Sequence, residues 1–296
     1  MRQNFRRINV KSGIEPPQVA RSGGPPLRET IARVLRSYGL SPRGRSESEP
    51  TSVGFTDADF DPAAWDRDDW QAVGPALRRV VLSRVPAASI PLSPHDGEPP
   101  VLRMVVTAPP DPEPRYLQLL NDLGVRGVRF ALDGTVDPYT VLHYADHLVL
   151  LDWHIEFVLS GNANATTLAD AEWVLTRLPV PTCFSGLSDF ISVKASGDEE
   201  IARLLDLIAM GRFWLKASAR EIANVRDPAR LALQELLITA LAVRSDRVVW
   251  GSGPAPASVD IRTHVSAVLD MLQQWIPEED RRLRVAWSNP AILYRF

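Results

Sequence analysis

Four ionisable side chains lie within runs of residues that otherwise read as β-strands. His154 and Glu156 lie in WHIEFVL, Arg129 lies in RGVRFAL and Lys216 lies in RFWLKAS. Side chains alternate between the two faces of a strand, and most large apolar residues of these runs lie on the face opposite the ionisable ones; Trp214 is an exception, on the face of Lys216. In a sheet whose outer face packs on helices, the polar face points inward, so we expect these four side chains to share one interior.

Two kinds of chemistry fit such an interior, and the residues alone leave both open. Burying an unpaired charge costs several kcal/mol, so the charges must pair, stay hydrated or meet a ligand. One interpretation is an internal ion pair of Glu156 with Arg129 or Lys216. The other is an anion site, in which Arg129 binds a carboxylate with two parallel hydrogen bonds and Lys216 adds a point charge.

Metal and thiol chemistry have weaker support in the sequence. His143 and His147 are four residues apart on a predicted helix, a spacing found at zinc sites, but no third ligand accompanies them. We therefore predict no metal and no cofactor. Cys183 lies beside Phe184 in a short apolar run and reads as a small buried hydrophobe rather than a nucleophile.

Strand-like and helical patterns alternate regularly from Leu77 onward. The predicted strands are 78–85, 101–107, 126–132, 153–159, 180–184, 212–218 and 247–252. The predicted helices are 115–123, 139–151, 169–178, 198–210, 227–243 and 263–276, the fifth starting at Asp227-Pro228.

Repeated strand–helix units predict an α/β fold with parallel strands, and a (β/α)8 TIM barrel in particular. Seven strands are visible, so the first strand is atypical or missing, and an eighth from the region before Leu77 would close the barrel. An open doubly wound sheet is the alternative, but no glycine-rich phosphate loop follows any strand. The last strand, ending in Trp250, runs into a small-residue turn at Gly253, where a catalytic barrel usually carries an ionisable side chain.

Composition divides the chain into three parts. Residues 1–50 are basic and rich in Pro, Gly and Ser and read as a disordered tail, whereas 51–76 is acidic, contains two tryptophans and is expected to dock on the barrel formed by 77–296. The net charge of −3 argues against a nucleic-acid partner, and no apolar run is long enough to span a membrane. A single cysteine and no secretory signal favour a cytoplasmic location.

Five motifs carry a resemblance to a known family. They are GVRGVRF (124–130), WHIEFVL (153–159), FWLKASAR (213–220), RVVWGSG (247–253) and NPAILYRF (289–296). In this order they resemble the amidohydrolase-related family, and in particular its 2-pyrone-4,6-dicarboxylate lactonase-like branch. The resemblance implies a (β/α)8 barrel that hydrolyses lactones or amides, or decarboxylates aromatic acids; some members use a divalent metal.

The resemblance carries over only in part. Arg126 and Arg129 match the family's arginine strand, and Lys216 with Ser218 matches its lysine–serine strand, so these four are the expected substrate-binding residues. The family's His-x-His pair has no counterpart, its Asp-His pair is replaced by Cys183-Phe184, and its catalytic aspartate by Gly253.

Two functional hypotheses follow from this pattern. The first is a divergent hydrolase acting on or binding a small carboxylated lactone or cyclic acid, with His154 or Glu156 as replacement base. The second is a non-catalytic pseudoenzyme barrel that binds a small anion or a partner protein. The sequence makes no prediction of oligomeric state.

Overall fold

The structure of the protein is a computed structural model that describes residues 55–60, 77–85, 101–109, 112–159, 167–194, 198–253 and 259–296. The basic stretch 1–50 lies outside these ranges, as does most of the acidic segment that follows it. The exception is Phe55–Phe60, which forms a strand.

The centre of the molecule is a sheet of eight parallel strands arranged in chain order. The strands are β1 Phe55–Phe60, β2 Leu77–Val85, β3 Val101–Thr107, β4 Val125–Leu132, β5 His154–Leu159, β6 Thr182–Ser185, β7 Phe213–Ser218 and β8 Val248–Gly251. The seven strands predicted from the sequence are confirmed to within two residues at each end. The strand expected from the region before Leu77 is β1.

The sheet curls, because β1 and β8 lie close together at its two ends. Within the described ranges, backbone pairing runs from β1 to β8 through each neighbour in turn, and no paired register joins β1 directly to β8. The structure is therefore an α/β fold with a curled parallel sheet.

Ten α-helices are found in the described part of the chain: α1 Pro114–Asp122, α2 Pro138–Val149, α3 Leu168–Leu175, α4 Leu187–Lys194, α5 Asp198–Ala209, α6 Ala219–Asn224, α7 Ala229–Arg244, α8 Ile261–Trp275, α9 Glu279–Leu283 and α10 Asn289–Leu293. Several begin at side-chain caps that satisfy the free N–H groups of the first turn. Thr167 forms a capping box with Asp170 on α3, and Asp260 accepts a hydrogen bond from the Thr263 N–H on α8.

One predicted helix start was wrong. The sequence placed the start of the fifth helix at Asp227-Pro228, with Asp227 as the cap. In the structure Pro228 is the capping residue, its side chain makes no hydrogen bond, and α7 begins at Ala229. The peptide bond between Asp227 and Pro228 is cis.

The outer face of the sheet is lined by a row of aromatic rings on four consecutive strands. Phe130, Phe157, Phe184 and Phe213 follow one another from β4 to β7, with ring centroids 6.1, 6.4 and 5.9 Å apart. All four are buried in the large apolar cluster between sheet and helices. This packing fixes the outer face, and by strand alternation it turns the polar residues inward.

The last segment of the chain covers the end of the sheet where the strands begin. The helical turns from Glu279 to Leu293 form a continuous run, with a π-helical turn at Arg284–Ser288. Leu293 and Tyr294 are buried against inward side chains of the strands. We call this covering layer the floor. None of the described helices is both long and apolar enough to cross a membrane.

Candidate functional site

Two layers of side chains fill the inside of the curled sheet. The lower layer is apolar and rests on the floor; it consists of Val81, Val105, Cys183, Trp214 and Val249 together with Leu293 and Tyr294. Above it lies a polar layer formed by inward residues of β2, β4, β5, β6 and β7. Within the described residues, the apolar layer and the floor lie between the polar layer and the end of the sheet where the strands begin.

The polar layer is organised around the carboxylate of Glu156. One oxygen, Oε1, accepts hydrogen bonds from a terminal nitrogen of Arg129 and from the Ser185 hydroxyl, the latter at 2.8 Å. The other, Oε2, accepts from Lys216 Nζ at 2.9 Å, and Lys216 also donates to Ser83 Oγ at 3.2 Å. We call these five residues the Glu156 cluster.

The ion-pair interpretation is therefore realised with both cations at once. The sequence offered Glu156 a partner in either Arg129 or Lys216, and the structure pairs it with each. The three charged members carry two positive charges and one negative charge. One buried carboxylate is thus shared by two cations.

The members of the cluster differ in their access to solvent. The side chains of Glu156 and Lys216 are 0% and 1% exposed, whereas that of Arg129 is 10% exposed. On the same inward face, nearer the strand ends, Thr107 and Ala131 are exposed. Among the charged members of the cluster, Arg129 is therefore the most accessible to a molecule entering from that side.

The cluster holds Glu156 in its charged form. Burial by itself would raise the pKa of this carboxyl, but the charges of Arg129 and Lys216 and the hydrogen bonds from Lys216 and Ser185 outweigh it. The net result is a pKa well below the usual range of a glutamate. A carboxylate held in this way is a poor proton acceptor, which bears on its predicted role as a base.

His154 lies lower in the interior than the cluster. It begins β5, is 1% exposed and packs edge-on against the ring of Tyr294, 5.1 Å between centroids. Burial lowers the pKa of His154 to about 4, with Glu156 opposing the shift and Lys216 adding to it. The imidazole is therefore neutral at neutral pH, and neither ring nitrogen has a hydrogen-bond partner of good geometry within the described ranges.

Ser218 and Gly253 lie at the open end, where β7 and β8 finish. The Ser218 hydroxyl accepts from the Glu221 N–H at 3.5 Å, and the Arg220 N–H donates to the Ser252 carbonyl at 2.9 Å. Gly253 has a left-handed backbone with φ of 73°, and a Cβ there would run into the Ser218 hydroxyl and stand 2.9 Å from Arg220 Cβ. This is the position at which the resemblance implied a catalytic aspartate.

Arg126 does not lie near the other expected substrate-binding residues. Its guanidinium donates to the Asn121 carbonyl at 2.9 Å, to the Asn121 side chain at 3.1 Å and to the Val125 carbonyl at 2.6 Å. These partners lie in and beside the turn before β4, at the opposite end from the open mouth. A register irregularity between β3 and β4 skips Arg126 in the pairing, and Arg129 is three residues further along the strand.

The remaining candidates lie apart from the cluster. His143 and His147 are on α2, with ring centroids 5.0 Å apart, and His143 is exposed. Cys183 is fully buried in the apolar lower layer, where the sequence placed a small hydrophobe. Across the described ranges, no group of three or more His, Cys, Asp or Glu side chains is arranged to hold a metal ion.

Sequence reasoning missed two members of the cluster, Ser83 and Ser185. Both are buried hydroxyls on the inward faces of their strands, Ser83 two residues after Val81 and Ser185 two residues after Cys183. Strand alternation would have found them, because each continues the inward face of a short apolar run.

The chain is similar in sequence to two curated hydrolases. It is 24% identical over 198 residues to the 4-sulfomuconolactone hydrolase of Hydrogenophaga intermedia, a match that covers 64% of each protein. It is 26% identical over 192 residues to a 2-pyrone-4,6-dicarboxylate hydrolase of Comamonas testosteroni, covering 60% of this chain and 62% of that protein. The similarity thus spans somewhat less than two thirds of these relatives. No family model matches the chain.

The fold is shared with solved structures of similarly named proteins. A crystal structure of a probable 2-pyrone-4,6-dicarboxylic acid hydrolase from Acinetobacter baumannii with citric acid bound superposes with a TM-score of 0.59. It is 14% identical, and the match covers 82% of this chain and all of the other. The resemblance to the lactonase-like branch of the amidohydrolase-related family is thereby confirmed: this chain is related in sequence to named lactone and pyrone-dicarboxylate hydrolases and shares the fold of such proteins.

Proposed function

We propose that this protein is a divergent hydrolase of the 2-pyrone-4,6-dicarboxylate lactonase type that acts on a small carboxylated lactone or cyclic acid. The observation that carries the proposal is the position of Arg129. Arg129 is the most exposed member of the buried Glu156 cluster, and it lies on the same inward face as the exposed Thr107 and Ala131 near the strand ends. A guanidinium in such a place binds a carboxylate with directional, charge-assisted hydrogen bonds.

The comparisons support this choice of ligand class. The curated relatives are named as hydrolases of a sulfomuconolactone and of a pyrone dicarboxylate, and the neighbouring crystal structure holds citric acid, a small polycarboxylate. We further infer that the curled sheet closes into a (β/α)8 barrel through β1 and β8. In such a barrel the ligand would enter at the ends of the strands, where Arg129, Ser218 and Gly253 lie.

The proposal is tested by measuring turnover and binding on the same samples. The protein is incubated with 2-pyrone-4,6-dicarboxylate, 4-sulfomuconolactone and a monocarboxylated pyrone, with and without zinc or manganese, and ring opening is followed by absorbance. Ligand binding is followed by the shift in melting temperature. Turnover above the uncatalysed rate for at least one of these lactones is expected; a panel without turnover and without any melting shift contradicts the proposal.

Variants of three arginines assign the binding site. Arg129→Ala is expected to abolish the ligand-induced melting shift, because it removes the exposed cation. Arg230→Ala, on the solvent side of α7, is the matched control and keeps the shift. Arg126→Ala tests whether Arg126 binds the ligand, as the family resemblance implies. Loss of the melting shift would favour that role, and a retained melting shift would favour the observed placement of Arg126 beside Asn121.

A second candidate is a barrel that binds a small carboxylate without hydrolysing it. Two observations favour it: Glu156 is held as an ion-paired carboxylate, and the backbone at Gly253 leaves no room for a side chain. This candidate predicts a clear melting shift with every lactone that binds and no ring opening in any metal condition. Stoichiometric metal in the purified protein, together with turnover, would rule it out.

A further inference from the structure

Two arginines lie at the end of the sheet where the strands begin, Arg79 on β2 and Arg103 on β3. Each comes two residues before a member of the apolar lower layer, Val81 or Val105, and so lies on the same inward face. The parallel register pairs Arg103 with Val81, which sets the two arginines diagonally across neighbouring strands. Both side chains therefore lie under the apolar layer, on the side of the floor.

Aromatic rings cover one side of Arg79. Its guanidinium carbon lies 3.8 Å from the ring centre of Trp287, which belongs to the π-helical turn of the floor. The ring centre of Phe296 is 5.4 Å from the guanidinium carbon of Arg79 and 5.3 Å from that of Arg103. Stacking of this kind occupies a face of the planar guanidinium and leaves the N–H donors at its edge for an acceptor.

The two arginines differ in the hydrogen bonds they make. Arg103 donates to the Arg295 carbonyl from Nε at 3.2 Å and from Nη2 at 3.1 Å, and to the Leu102 carbonyl from Nη1 at 2.9 Å. Nη1 of Arg79 is buried, and no group in the described ranges accepts a hydrogen bond from it. Arg79 as a whole is only partly buried. A buried donor without an acceptor is costly, so this position favours an acceptor that the described residues do not supply.

The electrostatic surroundings favour an acceptor that carries negative charge. Burial lowers the pKa of Arg79, and no carboxylate of the described residues opposes this shift. Burial also lowers the pKa of Arg103, and the charge of Arg79 lowers it further, because the two cations repel each other. A water molecule would supply an acceptor for Arg79 but no charge, whereas an oxyanion supplies both.

We propose that Arg79 and Arg103 form a second anion-binding site, under the sheet, that takes a small oxyanion such as phosphate or a carboxylate. The oxygens of the anion accept hydrogen bonds from the edge of the Arg79 guanidinium. Arg103 contributes its charge, while backbone carbonyls hold it in place. The apolar lower layer lies between this site and the Glu156 cluster, so the inference is independent of the proposed function.

The test measures the melting temperature of the full chain in increasing inorganic phosphate or acetate, with chloride keeping the ionic strength constant. A saturable rise of about 2–4 °C is expected when the anion reaches roughly ten times its dissociation constant. A rise with phosphate alone identifies a phosphate site, and a rise with acetate a carboxylate site. If neither anion raises the melting temperature above that in chloride, the inference is overturned and water is the acceptor.

Three variants locate the anion. Arg79→Met keeps a long side chain without the guanidinium and is expected to lose the anion-dependent rise. Arg78→Met changes the exposed neighbour on the opposite face of β2 and keeps the rise, which controls for general salt effects. Arg129→Ala also keeps it. A rise that persists in Arg79→Met and is lost in Arg129→Ala would place the anion at the Glu156 cluster and overturn the inference, while the proposed function stands.

Hydrogen exchange of the wild-type protein decides the matter if Arg79→Met does not fold. With phosphate at about ten times its dissociation constant, exchange should slow by up to about tenfold in Leu77–Val85 and Arg284–Ser288, because the anion holds this strand against the floor. Slowing confined to other strands contradicts the inference. Absence of lactone turnover has no bearing on it, since the test uses neither a lactone nor the Arg129 site.

Discussion

Glu156 organises the hydrogen bonding and charge pairing of the polar layer. Its carboxylate is the shared acceptor for a guanidinium, an ammonium and a hydroxyl, all of them deep within the sheet. Removing one partner of such a buried pair leaves a charge without compensation, which typically costs about 3–5 kcal/mol. Substitutions in the cluster therefore have to be interpreted through the total charge they leave behind.

His154 makes the stability of the protein sensitive to mild acid. Its folded-state pKa of about 4 lies below the ordinary value of 6.5, so the unfolded chain binds a proton more readily. The stabilisation is complete above about pH 6.5 and is lost as the pH falls towards 4, amounting to at most about 3 kcal/mol. Urea unfolding from pH 7.5 to pH 4 should show this decline.

The variant His154→Leu is expected to flatten the decline, because leucine has no proton to take up. His143→Gln, which changes an exposed histidine on α2, is the control and should follow the wild-type curve. Glu156 enters only at lower pH: its depressed pKa adds stability that is present above the ordinary glutamate pKa of about 4 and lost below it. A wild-type curve without slope between pH 6.5 and 4 would contradict the buried neutral state of His154.

A side chain introduced at Gly253 is expected to lower the stability of the protein through steric clashes as well as through backbone strain. Gly253→Ala places a methyl group against Ser218 and Arg220, in addition to the cost of about 1 kcal/mol for a left-handed alanine. Gly124→Ala is a matched control, since Gly124 also has a positive φ but its nearest neighbour would be 3.6 Å away. Thermal unfolding should show a larger loss for Gly253→Ala; equal losses would mean that the turn has room.

Single residues were predictable where strand alternation governs them. The inward positions of Arg129, His154, Glu156 and Lys216 follow from the apolar face opposite them, and the structure places them there. The pairing of Glu156 with both cations was not predictable, because strand alternation predicts the face on which a side chain lies and not the distance between two side chains. Arg126 was assigned by resemblance alone, and a strand irregularity beside it removes it from the interior.

At the scale of elements, the strands were easier to predict than their connections. Each of the seven strands from β2 to β8 has a continuous apolar face, and its ends were predicted to within two residues. The helices α4, α6 and α9 were not predicted; α6 and α9 have six and five residues, too few turns for a periodic signal. The packing of the floor was also not predictable. NPAILYRF is recognisable as a motif, but no local sequence pattern indicates that it packs against residues distant in the sequence.

The floor gives a prediction based on two neighbouring aliphatic residues. Leu293 is 3% exposed and contacts the apolar lower layer, whereas Ile292 is 56% exposed. Leu293→Ala is expected to lower the free energy of unfolding by about 2–5 kcal/mol, the usual cost of a cavity in a core. Ile292→Ala should change it by less than about 1 kcal/mol. Chemical denaturation measures both, and similar losses would show that this segment does not seal the sheet.

At the scale of the whole molecule, the alternation of strands and helices predicted the fold class correctly. It indicated parallel strands in chain order, which the sheet confirms. The prediction of a strand before Leu77 rested on the need for an eighth strand and gave no position for it. FTDADF has no long apolar run, and it is recognisable as β1 only through its pairing with β2.

Closure of the sheet predicts slow hydrogen exchange at its first strand. If β1 is paired with both β2 and β8, the amides of Phe55–Phe60 should exchange about as slowly as those of β8, because both strands would lie within a continuous sheet. Hydrogen–deuterium exchange with peptide-level mass spectrometry measures this. Rapid exchange in Phe55–Phe60 alongside slow exchange in β4 and β5 would mean that the sheet stays open at that edge.

A protein that carries its own counter-ion does not depend on its ligand to remain intact. Two bare cations in this interior would make the native state reliant on an occupied site, so that the amount of protein surviving in a cell would follow the supply of the metabolite. With Glu156 in place, both cations already have a carboxylate partner in the empty form. The native state therefore does not need an occupied site to compensate these two charges.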